Sequence, residues 1–240
     1  MKKGLCLTGL LGIICMLLYG SCLRCYDKTK EIVCRECEVD TTSECTTKNK
    51  TKTEYTMKKV ALTFDDGPHP CFTEQLLNGL KERGVVATFF VIGENADANP
   101  DILKRMQKEG HLIGNHTYSH MQLRKNNRKK YGEEILATNK VIKQITGGEV
   151  IYIRPPYGSW DKMYELRLNM IPVLWTVDPM DWCTQDADCI VERVISKVKE
   201  NDIILLHDIY DSSVTAALEI VDLLQKEGYR FVTVDEILFD

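Results

Sequence analysis

The chain has 240 residues, 44% of them hydrophobic and 28% charged, with a formal net charge of -4. That balance fits one globular domain with short additions, and it argues against a disordered chain or one built to hold nucleic acid.

Taken in order, Met1-Lys2-Lys3 precedes a charge-free stretch from Gly4 to Leu23, which reads as either a secretory signal or a single membrane-spanning helix. Gly20 and Ser21 before Cys22 suit cleavage or lipidation, whereas Tyr19 is bulky for either. A cleaved signal, a retained anchor at 1–23 and a lipid-anchored Cys22 all stay open. Each places the rest of the chain outside the cytoplasm, secreted or held at the outer face of the cytoplasmic membrane. Residues 24–57 read as a polar linker carrying cysteines. Of ten cysteines, Cys22, Cys25, Cys34, Cys37 and Cys45 crowd between 22 and 45, at the anchor's end and in this linker; their spacing faintly resembles a zinc knuckle, and a stalk of paired or idle thiols is the simpler reading. Further on, Cys183 and Cys189 are close enough in sequence to bridge.

From Lys58 to the C-terminus, 58–240, short apolar runs alternate with segments of helical period, the βαβ rhythm of a parallel sheet. Strands are expected at Val60–Phe64, Val85–Ile92, His111–Gly114, Val150–Ile153, Pro172–Val177, Ile203–Leu206 and Phe231–Val232. Helices are expected near Phe72–Arg83, Pro100–Glu109, Glu133–Ile145, Trp160–Leu168, Cys189–Lys199 and Val214–Glu227. Arg124–Lys130 is densely basic and reads as a solvated loop before a helix. About 180 residues are too few for an eightfold barrel of about 250. The fold class is therefore α/β: a distorted, incomplete (β/α) barrel with about seven parallel strands.

The chemistry-bearing residues fall at the C-terminal ends of these strands, where such folds gather their sites. They are Asp65-Asp66-Gly67-Pro68, His116 with His120, Arg154-Pro155-Pro156-Tyr157-Gly158, Asp178-Pro179-Met180-Asp181-Trp182, and Leu206-His207-Asp208. Each alone is weak: a turn, a helix face, a rigid loop. Five in series resemble the motifs of the polysaccharide deacetylase family, also called the NodB-homology domain or carbohydrate esterase family 4. That resemblance implies a NodB-like fold and a hydrolase removing N-acetyl groups from an N-acetylhexosamine polymer, with peptidoglycan ahead of chitin-like chains. O-acetyl esterase action on a xylan-like polysaccharide and a non-catalytic carbohydrate-binding module are the alternatives.

Amide hydrolysis then distributes the roles. Asp66, His116 and His120 form a two-histidine, one-carboxylate set for one divalent metal, zinc first, with Co2+, Ni2+ or Mn2+ also suited to such ligands. Asp65 is the general base and Arg154 the cation beside it. The resemblance implies an oxyanion donor in the backbone N–H of Tyr157. His207 is the general acid, partnered by Asp181 or Asp178. Trp182 and Leu206 make an apolar wall for the acetyl methyl. His69 is either an exposed loop residue or part of the cleft, His111 a hydrogen-bonded core residue, and Trp160 a core residue or a sugar platform. No nucleic-acid partner is expected, and membrane association rests on the N-terminal segment alone.

Overall fold

The computed structural model describes residues 57–239. The expected signal or anchor at 1–23, and all of the 24–57 linker but its last residue, lie outside the described residues. No helix among the described residues is long and apolar enough to cross a membrane.

Seven strands form one parallel sheet: β1 (Lys58–Asp65), β2 (Thr88–Val91), β3 (Leu112–Asn115), β4 (Tyr152–Ile153), β5 (Ile171–Pro172), β6 (Asp202–His207) and β7 (Tyr229–Val232). Their spatial order is β5-β4-β3-β2-β1-β6, with β7 against the first half of β1. The helices are α1 (Phe72–Glu82), α2 (Gly93–Ala98), α3 (Pro100–Lys108), α4 (Arg128–Thr146), α5 (Met163–Leu168), α6 (Ala187–Ile195), α7 (Asp211–Lys226) and α8 (Val234–Leu238).

Central β1 shows why the sheet forms. Its run Val60-Ala61-Leu62-Thr63-Phe64 is buried on both faces, as parallel strands are. Val60, Leu62 and Phe64 pack outward on the main core with Leu76, Leu77 and Leu80 of α1 and Ile220, Val221 and Leu224 of α7. Ala61 faces the barrel interior, where it joins Phe90, Tyr152, Val173, Ile203 and Val234 in a second, smaller cluster. The inward column thus climbs from an apolar floor at Ala61, through Thr63, to Asp65 at the mouth. Each fully buried aliphatic side chain in these clusters contributes about 1.5–3 kcal/mol.

Two short helices were not expected from sequence. α8 seals the floor of the barrel through Val234, and α2 carries Gly93-Glu94-Asn95-Ala96-Asp97-Ala98, whose polarity masks a helix. The basic 124–130 segment is only partly loop: α4 begins at Arg128, which pairs with Asp161 at 2.7 Å. The strand expected over Pro172–Val177 is split. The Val173 amide bonds Ile153 O at the β4 edge (2.8 Å), and Val177 bridges Ile204 on β6. Between them the carbonyls of Val173 and Leu174 are taken by the Arg154 guanidinium instead of a neighbouring strand. This irregular segment spans the gap between the two sheet edges and leaves the barrel open there.

Candidate active site

The strand ends bring together what the sequence separates. His116 Nε2 and His120 Nε2 each lie 3.4 Å from Asp66 Oδ1, and the three donor atoms fall within 4.8 Å of one another. Asp66 Oδ1 is buried and accepts no hydrogen bond, a state that costs about 1–3 kcal/mol or more unless something else satisfies it. His116 Nδ1 meets the Arg154 carbonyl oxygen at 2.6 Å. A carbonyl only accepts, so Nδ1 carries the proton and Nε2 turns its lone pair toward Asp66. Burial raises the Asp66 pKa, yet His116, His207 and His120 outweigh it and hold the carboxyl below its usual range. Burial lowers that of His120, opposed by the charge of Asp66. Two imidazole nitrogens and a carboxylate with an orphaned oxygen fit a divalent cation.

Asp65 stands beside this cluster, its Oδ2 3.8 Å from His116 Nε2. Its Oδ1 accepts from Arg154 Nη1 at 2.9 Å. Arg154 is fully buried, and burial lowers its pKa, opposed by Asp65. Its guanidinium also donates to Thr63 Oγ1 (2.7 Å), Val173 O (3.1 Å) and Leu174 O (3.2 Å) and lies 4.3 Å over the Phe90 ring. One residue therefore orients His116 through its carbonyl and Asp65 through its side chain.

Across the pocket, His207 Nδ1 is 2.8 Å from Asp181 Oδ1, while the His207 amide and Ser213 Oγ donate to Asp181 Oδ2 at 2.8 and 2.6 Å. Burial opposes charge on His207, but the Asp181 hydrogen bond and the charges of Asp181, Asp65 and Asp66 raise its pKa to about 9. Asp178 accepts instead from the Met180 amide in its own loop (2.7 Å), which settles the choice of carboxylate beside His207.

The 500 Å³ pocket is lined by three aspartates (Asp65, Asp66 and Asp178), the three histidines, Pro155, Tyr157, Trp175 and Trp182. Its aliphatic wall is Leu205 and not the expected Leu206. Leu206 pairs in register with Phe64 and faces the helices, while strand alternation turns Leu205 inward with Thr63 and Asp65. Asp66, Thr117, His120, Tyr157 and Met180 all hold positive φ (74°, 64°, 54°, 60° and 58°), a conformation that non-glycine residues adopt at some cost and that gathers at sites. Neighbours hold them there: Asn95 Nδ2 donates to Asp66 O at 2.7 Å, and the Thr117 amide donates to Asn115 Oδ1 at 2.7 Å. Sequence reading missed Asn95, Asn115 and Ser213, for each reads as an ordinary polar-loop, strand-end or helix-start residue. It also gave no role to Asp208, whose fully buried carboxyl accepts from Thr73 Oγ1 at 2.5 Å under the Asp65-Asp66-Gly67 turn. Burial pushes that carboxyl up to about 7.

Other expectations fall outside the pocket. His69 Nδ1 accepts from the Cys71 and Phe72 amides at 3.2 Å and caps the start of α1. His111 is a core residue, accepting from the Ala87 amide at 3.1 Å, and burial lowers its pKa to about 4. Trp160 packs on the core and donates to Glu165 at 3.0 Å. Cys183 and Cys189 do not bridge: both are free thiols, as is Cys71, and Cys183 Sγ turns to Met180 O at 3.1 Å.

An open parallel barrel whose mouth joins a cation cluster, a spare acid and a carboxylate-held imidazole defines a hydrolase-type site of the metal-assisted class. Residues 52–171 match the model of the polysaccharide deacetylase family, and the chain belongs to that family. It is 41% identical over 180 residues to the peptidoglycan-N-acetylmuramic acid deacetylase PdaC of Bacillus subtilis, covering 75% of this chain and 38% of that protein. The chain thus spans well under half of PdaC's full length. A solved PdaC structure superimposes with a TM-score of 0.74, covering 76% of this chain and 90% of that one at 41% identity. A peptidoglycan-N-acetylglucosamine deacetylase of Bacillus cereus is 41% identical over 186 residues, 75% of this chain and 68% of that protein. The family 4 acetyl xylan esterase of Clostridium thermocellum, solved with a cobalt ion, gives a TM-score of 0.70 at 33% identity over 75% of this chain and 90% of that one.

Proposed function

We propose that this protein is a metal-dependent hydrolase that removes N-acetyl groups from N-acetylglucosamine-type residues of an extracellular polysaccharide, with peptidoglycan as the first substrate. One observation carries the reading: the orphaned Asp66 Oδ1 facing two imidazole nitrogens, with a second, Arg154-held carboxylate at its side. The names of the Bacillus relatives support peptidoglycan as the polymer.

Asp66, His116 and His120 would hold the cation, zinc being the first choice for this ligand set. When bound, such a cation polarises an acyl oxygen and acidifies water. Asp65 takes a proton from the attacking water. Its partner Arg154 donates to Oδ1 at 2.9 Å and so orients the carboxylate for this. The Tyr157 amide, at the turn after Pro155-Pro156, is the donor for the developing oxyanion. His207, whose Nδ1 is held by Asp181, presents Nε2 to the pocket and protonates the departing sugar amine. Trp182 and Leu205 enclose the acetyl methyl. The N-terminal segment supports action outside the cytoplasm, secreted or membrane-held.

Acetate release from N-acetylglucosamine oligomers, intact wall sacculi and acetylxylan by the zinc-loaded protein tests the reading, with product positions read by mass spectrometry. Release from oligomers or sacculi is expected. Release from acetylxylan alone would make it an O-acetyl esterase, and release from none would reject catalysis.

A further inference from the structure

We propose that the cleft continues past His207 into a groove that seats a second, uncharged sugar ring of the same polymer. This deepens the deacetylase reading and rests on it. Trp182 lines the acetyl pocket on one side and, on the other, a small hollow of 210 Å³ that it shares with Asp181, Gln185 and Tyr210. Gln185 and Tyr210 in turn line a larger hollow of 480 Å³, which runs on to Phe72, Ser212 and Thr215. Neighbouring hollows thus share walls in series, Trp182 between the first and second and Gln185 with Tyr210 between the second and third. The Tyr210 ring sits 6.4 Å from the His207 ring, which places the groove one residue's breadth from the acid.

The lining suits a pyranose. Phe72 and Tyr210 supply aromatic faces for the C–H side of a ring, and Gln185, Ser212 and Thr215 supply neutral amide and hydroxyl groups for its oxygens. No cation lines the groove and its one charged residue is Asp211, so an anionic segment is disfavoured. A volume of 480 Å³ falls within the range of ligand sites and holds one ring.

The test measures kcat/KM of the zinc-loaded protein on the N-acetylglucosamine dimer and pentamer, for the wild type, Tyr210→Ala, Gln185→Ala and the groove-filling Thr215→Trp. Thr215 is exposed, so the last variant probes the groove without disturbing packing. The pentamer value is expected to fall about tenfold, with the pentamer-to-dimer ratio collapsing alongside it. An equal fall on both lengths would make these residues supports of His207, and no fall would leave the groove without a role; either result overturns the proposal. Calorimetric binding of the pentamer to Asp65→Asn, with and without Tyr210→Ala and Thr215→Trp, separates the two claims. Binding that weakens in the altered groove, beside a wild type that releases no acetate, would sink the deacetylase reading and leave the groove standing. Binding unaltered by either change would sink the groove alone.

Discussion

The two sides of the pocket are built differently. On the base side, Asp65, Asp66, His116 and Arg154 stand at the ends of β1, β3 and β4, within one run of adjoining parallel strands, and Arg154 alone orients both His116 and Asp65. On the acid side, His207 ends β6, which pairs with β1 and sets His207 in register with Asp65, but its partner Asp181 arrives on a 3-10 turn, Asp181–Cys183, that follows the segment crossing the barrel's gap. Strand register fixes the first side. The second depends on how well a loop and the start of α7 hold one carboxylate.

The largest effects should come from the base side. Asp65→Asn is expected to cut kcat about 100- to 10,000-fold, as loss of a general base does, while metal content by atomic emission stays at the wild-type level. Asp66→Asn should lose both metal and activity. Two active variants would dissolve the distinction between ligand and base. Arg154→Met leaves Asp65 buried without its cation, which should cost about 3–5 kcal/mol in urea unfolding. The same change in an Asp65→Asn background should cost clearly less, since no charge is then stranded. Additive costs would show that Arg154 acts through its carbonyl contacts alone.

On the acid side the expected effect is smaller and appears in pH dependence. His207 can serve in its proposed role as acid only while protonated, and burial opposes its charge while the hydrogen bond with Asp181 raises its pKa. The raised pKa means that the active form persists below the folded value, near about 9, and is lost as pH rises through it. A bound cation offsets the charges of Asp65 and Asp66 and brings that limb lower. Asp181→Asn should move the alkaline limb of kcat/KM down by about one pH unit or more, with metal content unchanged. A limb that stays in place would show that another group sets it.

This difference also explains what was legible in the sequence. The alternating apolar runs disclosed the strands and the open barrel, because parallel strands buried on both faces carry that pattern. That Asp65, Asp66, His116, His120 and His207 gather at one pocket was legible because rare residue types recur at or just after strand ends. Leu206 was misassigned to the wall because the motif names the residue next to His207, while alternation presents Leu205. Pro172–Val177 misread as one strand because Arg154, distant in sequence, captures its carbonyls. α8 and Ser213 carry no signature of their own, since five residues plugging a barrel floor and a serine in the first turn of a helix look like any others.

Ser213→Ala sharpens the comparison at its weakest link. The hydroxyl donates to Asp181 Oδ2 at 2.6 Å, the same oxygen that accepts the His207 amide, and the serine is fully buried. Removing it leaves Oδ2 one donor instead of two, a loss of about 1 kcal/mol, while Oδ1 keeps its bond to His207. With less charge satisfied through Oδ2, the carboxylate becomes a stronger acceptor toward the imidazole or swings from it. The first outcome raises the alkaline limb and the second lowers it, so the direction of the shift tells whether α7 merely solvates Asp181 or fixes its position. Asp65 has no counterpart to this test, because its orientation comes from a buried guanidinium with four hydrogen-bond acceptors, of which Asp65 is one. A shift of a few tenths of a pH unit with metal content and dimer binding unchanged is the expected result, and a profile superimposable on the wild type would show that the Asp181–Cys183 turn and the His207 amide hold the carboxylate without α7.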